Sequence, residues 1–175
     1  ASNAAVGMYS LRANTTGASN VAVGYGALDA NTTGGTNVAV GQNALGANTT
    51  AQYNTAIGHQ ALAANLTGNG HTAVGYQALY SQNSSYHNNT AIGSYALLYN
   101  TTGQYNTAIG FEALKTATEL DKNTAIGYQA LKVASGSAGN TENTAVGYHA
   151  GTAVTTGYGN TILGALAGDG IATGV

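Results

Sequence analysis

The residues able to do acid–base or metal chemistry are few, and their spacing decides what they amount to. Six carboxylates are present, Asp29, Glu112, Glu119, Asp121, Glu142 and Asp169, together with His59, His71, His87 and His149. Glycoside hydrolysis requires two carboxylates flanking one bond, yet only Glu119 and Asp121 are close in sequence, and with Lys122 they read as a solvated turn. The histidines share no interval and form no H-E-x-x-H pair, so they read as surface or hydrogen-bonding groups and not as metal ligands. No serine-nucleophile motif or phosphate loop accompanies them. The expectation is a chain that is not an enzyme and carries no metal or cofactor.

Two other sets invite a functional reading. Tyr25, Tyr76, Phe111, Tyr128 and Tyr148 each follow a recurring glycine, which predicts a partial aromatic column serving as a half-buried seam, a subunit contact, or a stacking platform for sugars. Asn14, Asn31, Asn48, Asn65, Asn83, Asn88 and Asn100 precede x-Ser/Thr. They are either glycosylation acceptors along one edge or turn formers, and the abundance of Asn and Thr favours turns.

What must position these residues is a repeat. Glycines at 7, 24, 41, 58, 75, 93, 110, 127, 147 and 164 are separated by 17 residues, except for one step of 18 and one of 20. Four residues before them stand Asn3, Asn20, Asn37, Asn54, His71, Asn89, Asn106, Asn123, Asn143 and Asn160. Val, Ile or Leu precedes every one of these glycines, and Leu follows four residues later from Leu11 to Leu131, giving way to Gly151 and Gly168. A unit this short cannot bury its own apolar side, so neighbouring coils must cover one another. The expected fold is mainly all-β: a single β-solenoid over 1–175, of about ten coils with an in-register parallel sheet, and a length of about 48 Å at the inter-strand spacing. Irregular connections fall at 115–122 and 132–142, the second expected to loop out over Val133 to Glu142. Tyr-Gln-Ala-Leu is expected to form a short helical or 3₁₀ turn, with Phe111–Leu120 its best instance. The asparagine column predicts a ladder of amides, each donating to the next coil, whose loss should cost more than a loop change such as Asn100→Ser.

Composition agrees with a biased, repetitive chain. Ala, Gly, Thr and Asn number 33, 26, 24 and 19 of 175 residues, charged residues are 6%, and the net charge is -2. No basic field exists to hold nucleic acid, no apolar run is long enough to insert in a membrane, and the absence of cysteine excludes disulfides and thiolate metal sites. Ala and Ile or Val are adjacent on the predicted strand and so point to opposite faces. The second face needs cover from the same coil or from another chain.

NTAIGHQAL at 54–62, NTAIGFEAL at 106–114 and NTAIGYQAL at 123–131 resemble repeats of phage tail-fibre and bacterial surface-fibre proteins, and A-[IV]-G is similar to the head repeats of trimeric autotransporter adhesins. The resemblance implies a trimeric, extracellular, cell-surface or virion-borne structural fibre that touches a receptor. The adhesin heads place asparagine five residues before the glycine, whereas here it stands four before. Two further readings are a glycan-binding module using the tyrosines or the loop edge, and an ice-binding solenoid, the latter disfavoured because the 18- and 20-residue steps and the change of loop after residue 115 are expected to interrupt a threonine row. The opening inside a repeat and the uncapped close carry the expectation that the segment self-associates, as a trimer or head to tail, and does not persist as a dispersed monomer.

Overall fold

The computed structural model describes residues 2–83, 88–135 and 139–173, with only the backbone of Gly139 and Asn140. It is a parallel β-solenoid. Twelve short strands run in chain order: β1 (Ala4–Val6), β2 (Val21–Val23), β3 (Val38–Val40), β4 (Thr55–Ile57), β5 (Thr72–Val74), β6 (Thr90–Ile92), β7 (Thr107–Ile109), β8 (Leu120–Asp121), β9 (Thr124–Ile126), β10 (Gly139–Asn140), β11 (Thr144–Val146) and β12 (Thr161–Leu163). Ten of them form one sheet in the order β1-β2-β3-β4-β5-β6-β7-β9-β11-β12, every strand parallel to its neighbours. The remaining pair, β8 and β10, comes from the two irregular connections, with Leu120 opposite Gly139 and Asp121 opposite Asn140.

Register survives both long steps. Thr72, Ala73 and Val74 face Thr90, Ala91 and Ile92 across the 18-residue step, and Thr124, Ala125 and Ile126 face Thr144, Ala145 and Val146 across the 20-residue one. For the strand threonines the expected interruption at these steps is overturned: Thr55, Thr72, Thr90, Thr107, Thr124, Thr144 and Thr161 form one continuous column. The expected outward loop at 133–142 includes residues 136–138, which lie outside the described residues.

The helical turn is corrected. No helix occurs among the described residues. After the strands of the main sheet the chain makes overlapping four-residue turns: Ala44 N–H donates to Gly41 O over 3.3 Å, Gly46 N–H to Asn43 O over 3.2 Å and Asn48 N–H to Leu45 O over 3.1 Å. The third residue of the first two of these turns has positive φ, Asn43 at 54° and Leu45 at 50°, and the same positions recur as Gln60 (55°) and Leu62 (53°) in the next coil, in the manner of type II turns. The alternating hand swings Ala and Leu to the same side, so Ala61 and Leu62 are both fully buried. It also points the Leu62 N–H along the rod, where it donates to Ala78 O of the next coil over 3.0 Å. A helix would spend that bond inside its own coil. The left-handed conformation costs a leucine about 1–2 kcal/mol, offset by about 1.5–3 kcal/mol from burying its side chain.

The interior is thin and repetitive. The central strand alanine (Ala22 to Ala145), the turn alanine (Ala27 to Ala150) and the turn leucine (Leu28 to Leu131) form one core cluster. At the corner, the Gly75 φ of +135° and the 2.7 Å from a hypothetical Cβ to the Gly93 carbonyl leave room for no other residue.

Candidate functional site

The asparagine column is interior between its two ends, Asn3 being exposed and Asn160 half-buried. Asn20, Asn37, Asn54, Asn89, Asn106, Asn123 and Asn143 are buried. Its bonding differs from a simple amide stack. Each Oδ1 accepts the backbone N–H of its counterpart in the next coil, as Asn20 Oδ1 does from Asn37 N (2.9 Å) and Asn37 Oδ1 from Asn54 N (3.0 Å). Nδ2 donates within its own coil, from Asn20 to Gly34 O, Asn37 to Ala51 O and Asn54 to Gly68 O, each over 2.8 Å. Asn89, Asn106 and Asn143 do likewise with Gly103, Leu120 and Gly157. The amide thus closes one coil and aligns the next. Asn123 departs from this: its Nδ2 donates to Asn106 Oδ1 and Asp121 O. Asn160 also turns Nδ2 to the preceding amide, Asn143 Oδ1, and to Tyr158 O. His71 fits the same column, donating its N–H to Asn54 Oδ1 and accepting from Asn89 N through Nδ1.

A second interior column corrects the glycosylation reading. Asn31, Asn48, Asn65 and Asn100 are 0% exposed, so a glycan on their amides has no path to solvent. Asn31 Nδ2 donates to Asn14 Oδ1 (2.9 Å) and Asn48 Nδ2 to Asn31 Oδ1 (2.8 Å), while Asn65 Nδ2 bonds Gly68 O (2.9 Å). Gln82 continues the column, after which Ala117, Ala134 and Val154 make it apolar. Asn100 stands where the character changes, and its side-chain amide has no hydrogen-bond partner among the described residues. Asn14 is half-buried, and Asn83 and Asn88 are exposed. The spacing of Asn14, Asn31, Asn48 and Asn65, 17 residues each time, was the signal for this column.

The aromatic residues form a surface ribbon. Tyr25, Tyr76, Phe111, Tyr128 and Tyr148 are 38–55% exposed. From His59 the rings continue through Tyr76, Tyr95, Phe111, Tyr128 and Tyr148, with centroids 5.1–6.1 Å apart. Tyr25 is separate and meets Tyr9 edge-on at 5.5 Å. Phe111, Tyr128 and Tyr148 stack within 16° of parallel, so Tyr128 lies face to face with both neighbours. His59 joins the ribbon from the column's own position, directly after Gly58, whereas Tyr95 and His149 stand one residue further from Gly93 and Gly147 and are brought in by the stacking of coils. Burial and the neighbouring Tyr76 hold the Tyr95 phenol above its ordinary range.

The carboxylates do not converge. Asp29 pairs with Arg12 at 2.8 Å, and Lys122 with Glu142 at 3.4 Å. Glu112 receives Lys115 Nζ at 2.6 Å, Lys132 Nζ at 2.7 Å and Gln129 Nε2 at 2.7 Å. Burial pushes its carboxyl upward, but the hydrogen bonds from Lys115, Lys132 and Gln129 and the Lys115 charge outweigh that and hold it down at about 2. It is a charged staple between coils. Among the described residues no group of three or more His, Asp or Glu side chains is arranged to hold a metal, and no helix is long and apolar enough to cross a membrane.

The outer face of the main sheet is the other organised surface. From β2 to β11 each strand of this sheet buries its central alanine and turns the two flanking residues outward, Thr or Val on one side and Val or Ile on the other, whereas all three residues of β1 are exposed. Comparison with protein-family models, with curated proteins and with solved structures finds no match.

Proposed function

We propose that the chain is a rigid, non-catalytic rod segment of an extracellular structural fibre, carried on a cell surface or a virion and adhesive through contact with a receptor. The observation that carries this reading is the unbroken sheet, whose ten strands keep register through both irregular steps. A fold that absorbs insertions outside the sheet and continues along the same axis preserves a straight spacer. Two internal amide ladders and coil-to-coil hydrogen bonds stiffen it further, and its units interact only with their neighbours, as in other solenoids. The fibre-protein resemblance of the NTAIG repeats supports the extracellular setting. The mutual stacking of Phe111, Tyr128 and Tyr148 weighs against a sugar platform, which needs free ring faces.

Immunogold labelling of the source tests this reading. Label on projecting fibres is expected, and label confined to the interior overturns it. Negative-stain images of the purified chain should contain narrow rods, and compact particles would contradict the spacer role.

A further inference from the structure

We propose that Tyr76 and Tyr95 are a modification site, at which a haem peroxidase acting with hydrogen peroxide joins the two rings through a carbon–carbon bond and ties adjacent coils together. The bond lies within one rod and forms whether or not the rod belongs to a fibre. Placement carries the proposal. Tyr95 N–H donates to Tyr76 O over 2.9 Å, so the backbone fixes the two residues side by side on neighbouring coils. Their ring centroids are 5.1 Å apart at 82°, the shortest ring separation in the ribbon from His59 to Tyr148. The phenols also interact through a side-chain hydrogen bond, which draws the ortho carbons flanking each oxygen towards the other ring. Lys115 Nζ lies 5.3 Å from the Tyr95 centroid and is itself anchored by Glu112, so the Tyr95 ring is held from the following coil as well. Tyr76 is 41% exposed and Tyr95 half-buried, which leaves the pair within reach of an oxidant at the surface.

The chemistry balances without any other reactant. Each phenol loses one electron and its hydroxyl proton to the peroxide-oxidised haem, giving two tyrosyl radicals whose unpaired density lies partly on the ortho carbons. Coupling there forms one C–C bond, and the hydrogen on each coupled carbon moves as a proton to the adjacent oxygen, restoring two phenols. The rings together give up two electrons and two protons, which reduce one hydrogen peroxide to two waters. Neighbours already held in place couple far faster than partners that must meet by diffusion.

The same geometry singles out this pair among the tyrosines. Tyr9 with Tyr25 (5.5 Å) and Tyr128 with Tyr148 (5.3 Å) stand further apart, and neither pair is joined by such a backbone bond. Phe111 has no hydroxyl to oxidise and separates Tyr95 from Tyr128. Tyr53 and Tyr105 are more exposed, at 65% and 55%, but neither meets another ring among the described residues. Access to reagent therefore favours Tyr53 and Tyr105, whereas pairing favours Tyr76 with Tyr95.

Treatment of the dilute purified chain with a haem peroxidase and hydrogen peroxide, followed by peptic digestion and mass spectrometry, tests the site. A species joining Tyr76 to Tyr95, lighter than the separate peptides by two hydrogens, should exceed every pair that includes Tyr53 or Tyr105. Tyr95→Phe and, independently, Tyr76→Phe should abolish that species with an unchanged circular dichroism spectrum, while Tyr53→Phe should leave its yield unaltered. Coupling dominated by Tyr53 and Tyr105 would overturn the site. So would cross-links confined to pairs of chains, or no coupling at all under conditions that couple free tyrosine. Immunogold labelling of fibres is read separately, so either reading can fail while the other stands.

Discussion

The backbone N–H of Asn143 donates to Asn123 Oδ1 over 3.0 Å, although 20 residues separate the two. The bond matches the 2.9 Å contact from Asn123 N to Asn106 Oδ1 across a regular coil. The amide column therefore acts as a register gauge, clamping the start of every coil whatever the length of chain between.

Breaking that clamp should be costly. Asn37→Leu removes the acceptor for Asn54 N and the donor to Ala51 O, and each buried group left unpaired costs about 1–3 kcal/mol. Thermal or denaturant melts should place the variant at least about 2 kcal/mol below the parent. An unchanged midpoint would contradict the clamp.

The second column makes an opposite prediction at one coil. The Asn100 side chain is buried without a hydrogen-bond partner among the described residues and lies one coil before Ala117, so Asn100→Val should stabilise the rod by about 1 kcal/mol. The same change at Asn48, which bonds Asn31 Oδ1 and Ala51 O, should destabilise it by about 1–3 kcal/mol. Paired melts of the two variants check the difference in sign.

Corner glycines should tolerate nothing. Gly75→Ala forces a Cβ to within 2.7 Å of the Gly93 carbonyl at a φ of +135° and should cost at least about 3 kcal/mol. Gly170→Ala, whose Cβ meets no atom within 4 Å, should change the melt little. Equal effects at both sites would refute the corner geometry.

Much of this architecture was legible before any coordinates. Recurrence of Asn, Ala and Gly gave the coil and the sheet, because a side-chain pattern that repeats with the fold period needs no tertiary information to be noticed. The turn was misjudged at Phe111–Leu120, since helix propensity describes bonding within a segment and the Leu114 N–H is taken by Ala130 O of the next coil. Asn31, Asn48 and Asn65 looked like loop residues for a related reason. Turn chemistry and ladder chemistry use the same amide, and only stacking decides which faces inward. Glu112 gave no advance sign, because Lys132, one of its partners, belongs to the following coil.

Acid should find that carboxylate. Its pKa in the folded rod, about 2, lies below the ordinary 4.5, so its stabilisation is complete above pH 4.5 and is lost as the pH falls towards 2. After allowance for screening by solvent it amounts to about 1–2 kcal/mol. Melts of the parent and Glu112→Gln should differ by that amount at pH 6 and converge near pH 2. A constant difference across this range would remove Glu112 from the acid response.

Because each strand of the main sheet touches only the strands beside it, tension applied along the axis loads every joint in series. The weakest joint yields first, and its neighbours then bear the same force unaltered. A rod pulled in an optical trap should lengthen in discrete increments of about 55 Å, the extended contour of one 17-residue coil less its own rise. The molecule would thus pay out chain like a ratchet and hold its anchorage through several partial failures.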